Sequence, residues 1–256
     1  MNSYEDETNR DFLKENRGEM KHTAESANTR MLQLVAEKLG PLKDEVVFLG
    51  GAVMPFLLTE PNVPITRFTK DVDFIFEPET REELYEFEDE LRDLGFKKTL
   101  NAAVCQWVIN NVRIDILPTD PEVIGFDNRW CAEAEQSAIR VNIGKGLIIN
   151  VVPGHCFLGL KLCAFLRRGK GNYLNSYDIA DLMLIIGGRA RIEQEVTEQA
   201  SPELRKFIIA ELQNIHKAVN GSPGKAWQAG KGDRLPRQLA AEALARIKNL
   251  IEPLAK

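Results

Sequence analysis

The chain of 256 residues is poor in the residues that build small metal or disulfide scaffolds. It has four cysteines, Cys105, Cys131, Cys156 and Cys163, and no two form a CxxC pair. It has three histidines, His22, His155 and His216, none at metal or triad spacing, so none is assigned a role. A disulfide framework and a Cys/His zinc site are both disfavoured; the expectation is reduced thiols packed in a cytoplasmic protein. Long apolar runs are lacking as well. The most apolar stretch, Phe157 to Leu166, is ten residues long and contains Lys161, whereas a membrane span needs about 20. The first residues are polar and acidic, without the apolar core of a signal peptide. No GxGxxG occurs. GSPGKAW is not a Walker A loop, since its glycines are too close and no hydroxyl residue follows Lys225.

What is present is ordinary globular material. Apolar residues make up 44% and charged residues 28%, which excludes a disordered chain, a collagen and a coiled-coil rod. The length allows one large domain or two small ones. The net charge of −5 is unevenly spread. Residues 1–100 carry 22 acids and 13 bases, whereas residues 101–256 carry 16 acids and 20 bases. Residues 77–93 alone hold nine acids and two bases. The mean therefore does not exclude an anionic partner such as RNA; it directs one to the second half.

Pattern reading gives an α+β order, with a mixed sheet first and a helical part second. Residues 1–20 read as a mobile tail. A helix follows to Leu39, with Met31, Leu34, Val35 and Leu39 on one face and Gly40-Pro41 as its stop. Glu45 to Leu49 reads as a buried strand running into Gly50-Gly51. A loop with Pro55, Pro61 and Pro64 leads to a second strand, Val72 to Phe76. Thr80 and Glu83 form a capping box for a helix with Leu84, Phe87, Leu91 and Leu94 as its apolar stripe and Gly95 as its stop. Asn110-Asn111 between two apolar runs, 104–109 and 112–117, predicts a hairpin. A second hairpin spans 138–152. Helical patterns occupy about 155–169, 176–187, 202–219 and 236–254, with a flexible loop before the last. The predicted organisation is a tail (1–20), a catalytic domain (21–153) and a helical domain (154–256).

The chemistry concentrates around Asp71 and Asp73. They are two apart on a predicted strand, so both point to one face. Their neighbours Val72, Phe74, Ile75 and Phe76 are apolar, which places the strand centrally. Two carboxylates there repel, and each is costly to desolvate. A divalent cation removes that cost, and an all-oxygen set suits Mg²⁺, with Mn²⁺ as a substitute. Asp115 is a third acid on an otherwise apolar strand. If that strand pairs beside 72–76, three metal-binding carboxylates converge, as a two-metal phosphoryl or nucleotidyl transfer needs. Gly50-Gly51 after a strand would let backbone N–H groups approach phosphates, with residues 52–58 as a following helix. Separately, each feature has a bland reading, a tight turn for Gly-Gly and a solvated strand end for Asp-Val-Asp. Their order along the chain favours the functional one.

Strand–Gly-Gly, then Asp-x-Asp, then a later strand Asp resembles the nucleotidyltransferase fold of the polymerase-β-like superfamily. The phrase Arg67-Phe68-Thr69-Lys70-Asp71-Val72-Asp73 resembles the R-x-T-K-D-[IV]-D phrase of the AbiEii/AbiGii toxin branch. The run from Lys161 through Ala164 and Arg168 to Lys170 is similar to that branch's K-x-x-A-x-x-x-R-G-K helix. The run Tyr177-Asp178 to Asp181-Leu182 is similar to its R-D-x-x-D-L helix. The resemblance covers about residues 46–187. It implies an NTP-dependent, Mg²⁺-requiring enzyme, and in some members a toxin that adds nucleotides to tRNA and is restrained by an antitoxin. It further implies that Gly50 and Gly51 cradle phosphates, that Lys70, Lys161 and Arg168 serve the nucleotide, and that Asp71, Asp73 and Asp115 hold metal. Asp178 would be an acid near the acceptor. Ala52 stands where many relatives carry a hydroxyl residue, Tyr177 replaces the usual Arg, and 19 residues separate Gly51 from Asp71.

On physical grounds Lys161 is the sharpest residue of the second half, because an unpaired ammonium within FLGLKLCAFL would be costly. It faces either a carboxylate or a ligand phosphate. Asp178 and Asp181, three apart on the next helix, are its candidate partners within the chain, as they are for Arg168. Three acceptors stay open for the enzyme reading. These are tRNA bound on a basic surface from Arg167, Arg168, Lys170, Lys225 and Lys231, a small-molecule hydroxyl, or none at all in a non-catalytic scaffold.

Overall fold

The computed structural model describes residues 27–61, 63, 68–78, 80–99, 106–118, 129–169, 171–174, 176–219 and 235–252. The expected tail at 1–20 and the loop before the last helix lie outside these residues, as do Arg67, Cys105, Lys170, Lys225 and Lys231.

Helix α1 (27–39) opens the described chain. Its fully buried side chains are Leu32, Val35, Ala36 and Leu39. Met31 and Leu34 are only partly buried, so the core face is turned slightly from the expected one. The chain leaves α1 through Gly40, at φ 57°, and enters β1 (Val47–Leu49). One 3₁₀ turn, Gly51–Val53, and a four-residue helix, α2 (Met54–Leu57), follow. The helix expected over 52–58 is thus barely one turn long, because Pro55 sits in its first turn and the chain is extended again at Leu58.

Strand β2 (Asp71–Phe76) leads to α3 (Arg81–Asp93). The Thr80 side chain accepts from the Glu83 N–H at 3.1 Å, as the capping pattern requires. Phe87 and Leu91 are buried, but Leu94 is 37% exposed and so is not part of the stripe. Phe87 stacks on Phe76 with centroids 3.8 Å apart, and Phe74 lies edge-on to Phe87 and to Phe48. This aromatic row fixes α3 against the sheet. A short strand, β3 (Lys97–Lys98), precedes the hairpin of β4 (Gln106–Ile109) and β5 (Val112–Pro118). Asn110 and Asn111 adopt φ of 47° and 64°, the left-handed pair that a two-residue hairpin turn needs.

After α4 (Cys131–Gln136), β6 (Ile139–Asn142) and β7 (Ile148–Val151) form the second hairpin. Helices α5 (Gly154–Arg168), α6 (Tyr177–Gly188), α7 (Pro202–Ala218) and α8 (Arg237–Ile251) complete the chain. Strand β3, helix α4 and the helical turns at 192–199 have no counterpart in the sequence reading.

The seven strands form one sheet in the order β3-β4-β5-β2-β1-β7-β6. It is mixed: β2 pairs antiparallel to β1 but parallel to β5, and β1 pairs parallel to β7. The fold is α+β. Buried side chains of the sheet and of the later helices join in one core. Arg246 on α8, 7% exposed, locks that packing. It bonds the carbonyls of Ile186 and Arg189 and the carboxylates of Glu60 and Glu242. No helix among the described residues is long and apolar enough to cross a membrane.

Because Phe87 carries the contact between α3 and β2, Phe87→Ala is expected to cost about 3–5 kcal/mol of stability, read as a lower urea midpoint at unchanged slope.

Candidate active site

Strands β2 and β5 run in parallel register, which sets Asp73 directly beside Asp115 and Asp71 beside Arg113. The period of two then places Asp71, Asp73, Arg113 and Asp115 on the same face of two adjacent inner strands. The three carboxylates are half-buried. They are brought together as the sequence reading required.

Each acid is held differently. Asp71 accepts from the Thr69 hydroxyl at 2.7 Å and pairs with the Arg113 guanidinium. The Thr69 N–H in turn donates to the buried Asn28 side chain on α1 at 3.1 Å. Asp73 lies against the end of β1, opposite Leu49. Gly50 follows with φ of 79°. A Cβ on Gly50 would stand 1.9 Å from Asp73 Oδ2. Glycine is thus required twice over, by the backbone conformation and by the carboxylate filling the space a side chain would take. Asp115 has a buried Oδ1 without a hydrogen-bond partner among the described residues; Arg113 Nε is 3.6 Å away.

The electrostatics follow from this crowding. Burial pushes the Asp73 carboxyl up from the ordinary 3.8 to about 7, with Asp71 adding to the rise and Lys161 opposing it. Burial also raises Asp115, against the nearby positive charge of Arg113. The basic residues of α5 therefore act on the sheet's acids. Lys161 donates to Asp181 at 2.7 Å and lies 3.8 Å from Asp178. Arg168 grips Asp178 with two bonds, at 2.8 and 2.5 Å. Asp178 and Asp181 are only 2% and 4% exposed. Of the two partners foreseen for Lys161, the structure supplies the carboxylate.

No family model matches the chain, and no curated protein does. Among solved structures, the chain is similar to an antigenic nucleotidyltransferase-like protein from Paracoccidioides brasiliensis, at 16% identity and a TM-score of 0.43. That match covers 84% of this chain and 95% of that one.

Two further aspects of the site differ from the sequence reading. Gly51 is buried and opens a single turn, so no long helix presents its N-terminus behind Gly50-Gly51. Arg113, 46% exposed, is the counter-ion of Asp71 and Asp115. The sequence reading assigns it no role. Asn28 was missed outright, for nothing in a helical pattern marks a residue that bonds a loop 41 positions away. Lys70 is exposed immediately before β2. Tyr177, 43% exposed, begins α6 next to Asp178.

The raised Asp73 makes a signed prediction. Between pH 4 and 7 the folded chain holds a proton on Asp73 that the unfolded chain has released. Its contribution to stability is complete below about pH 4 and declines as pH rises to 7. In a chelating buffer, Asp73→Asn should flatten that decline and melt higher than the parent at pH 8. Parallel pH–melting curves for the two proteins would contradict it.

Proposed function

We propose that the chain is a metal-dependent nucleotidyltransferase that moves an NMP from an NTP to an acceptor hydroxyl, with tRNA as the acceptor. The observation that carries the reading is the Asp73–Asp115 pairing across β2 and β5, with Asp71 two residues away and Gly50 shaped around Asp73. Three like charges gathered on inner strands are costly, and such clusters concentrate at functional sites.

The residues fit a divalent cation. The donors are hard carboxylate oxygens, and one of them, Asp115 Oδ1, is buried without a hydrogen-bond partner among the described residues. Asp71, Asp73 and Asp115 would hold Mg²⁺, or Mn²⁺ in its place. Bound there, the ion supplies charge neutralisation for the triphosphate and a lowered pKa for the acceptor hydroxyl. Arg113 is the group that must yield its hold on Asp71 and Asp115. Lys161 and Arg168 set a positive wall toward Asp73, suited to an anionic substrate. Lys70, exposed beside Asp71, would meet a phosphate. Gly50 keeps Asp73 in place, and Asp178 orients Arg168. In-line attack of the acceptor oxygen on the α-phosphorus would form one P–O bond and break that to pyrophosphate, with catalysis resting on positioning and charge.

The tRNA acceptor, an antitoxin partner and a cytoplasmic setting follow from the resemblance to AbiEii-type toxins. A non-catalytic reading has its own support. Arg113 neutralises Asp71, while Lys161 and Arg168 are already paired with Asp181 and Asp178. The charges are thus largely balanced within the chain. Calorimetry separates the two, since a scaffold shows no Mg²⁺-dependent NTP binding.

The direct test is incubation with each labelled NTP, Mg²⁺ and total tRNA, followed by a gel. Label on tRNA is expected in the parent and background in Asp73→Asn, whose circular dichroism stays unchanged. Turnover retained in that variant would sink the mechanism. Arg167→Ala/Arg168→Ala should weaken tRNA binding and make the fall of affinity with salt shallower by about two in the log–log slope; an unchanged slope would remove RNA from these arginines.

A further inference from the structure

We propose a second metal site, of zinc type, formed by Glu133, His155 and Cys156 where α4 meets the first turn of α5. It is separate from the aspartate cluster and does not rest on the reading given to it. One donor atom from each of the three residues lies within 4.8 Å of the other two. In a tetrahedral zinc site, bonds of about 2.0–2.3 Å put neighbouring donors roughly 3.3–3.8 Å apart. A shift of about 1 Å brings the three donors to that spacing, which leaves the fourth position open as in three-ligand zinc sites.

An independent observation points to a ligand. His155 is 2% exposed, and neither of its ring nitrogens has a hydrogen-bond partner among the described residues. An unsatisfied buried imidazole is costly, and native structures rarely leave one so. The remaining donors are oriented for the task. Ser201 donates to both oxygens of Glu133, through its N–H at 2.8 Å and its hydroxyl at 2.7 Å. Each oxygen keeps a lone pair for a cation. The Ser137 hydroxyl sits 3.4 Å from Cys156 Sγ. Such outer contacts hold ligands in place around bound metals.

The donor chemistry selects the ion. One thiolate, one imidazole and one carboxylate suit Zn²⁺ and its spectroscopic substitute Co²⁺, and disfavour Mg²⁺. Charge balances too: a thiolate and a carboxylate neutralise a divalent ion. The nearby Arg189 is taken up by Glu195 at 2.8 Å. Zinc binds a cysteine as the thiolate, so the ion must displace the Cys156 proton, and one proton should leave per ion bound.

The test uses the full chain, titrated with Co²⁺ after chelation. The parent should show a thiolate-to-cobalt charge-transfer band saturating at one equivalent, with one proton released as read from calorimetry in buffers of different ionisation enthalpy. Asp73→Asn should keep the band. Cys156→Ser, nearly isosteric, should lose it while staying folded, and Glu133→Gln should weaken it. Chelation should lower the melting temperature of the zinc-loaded parent and leave that of Cys156→Ser unchanged. No band in the parent, or a band that survives Cys156→Ser, overturns the site.

Discussion

Parallel pairing of β2 with β5 sets Asp73 beside Asp115, and the strand period adds Asp71 to the same face. At about 5 Å and an effective dielectric near 20, two carboxylates repel by roughly 3 kcal/mol. That is several times what the same pair would feel in water. Several features nearby answer this repulsion. Arg113 bridges Asp71 and Asp115, Thr69 donates to Asp71, and Asp73 holds its proton to about pH 7. A structural ion pair would need one acid beside Arg113. Three acids exceed what one guanidinium satisfies, and the proton that Asp73 keeps to about pH 7 offsets part of the excess.

The helical layer supplies the rest of the field. Lys161 and Arg168 project from α5 toward the sheet's acids, yet each is tethered to a buried acid of α6. Those tethers serve two ends. They offset the cost of holding cations beside an apolar helix, and they fix where the positive charge stands. Arg168 is the more adaptable of the two. Its side chain is 58% exposed while Asp178 is 3% exposed, so the arginine can engage an anion at the surface without leaving its partner.

Much of this was legible because it follows from local periodicity. The two-residue period put Asp71 and Asp73 on one face, and Asn110-Asn111 marked the hairpin that delivers Asp115. The Thr80 cap marked the start of α3. What could not be read was non-local. Nothing in the chain states that β5 lies beside β2 instead of at an edge, and without that order Arg113 has no visible partner. That the space of Gly50's missing side chain holds Asp73 is a second fact no local pattern states. The first helix buries Leu32 and Ala36 in place of Met31 and Leu34, since a short amphipathic pattern fixes a face only to within a residue or so. Glu133 and His155 are separated by a hairpin, so the absence of metal spacing in the sequence said nothing about their distance in space.

Helix α5 joins these observations into one arrangement. Its first turn carries His155 and Cys156; six residues on, about 9 Å along the axis, Lys161 faces the acids of α6 and the sheet. The two donor sets differ in kind, oxygen alone on the strands and nitrogen with sulfur at the helix start. A helix is stiff over such a span, so whatever fixes its first turn against α4 also fixes the height at which Lys161 and Arg168 stand over Asp73. The charge geometry of the carboxylate site then depends on how firmly α5 is seated, through its packing on α6 and α7 as well as the meeting of its first turn with α4.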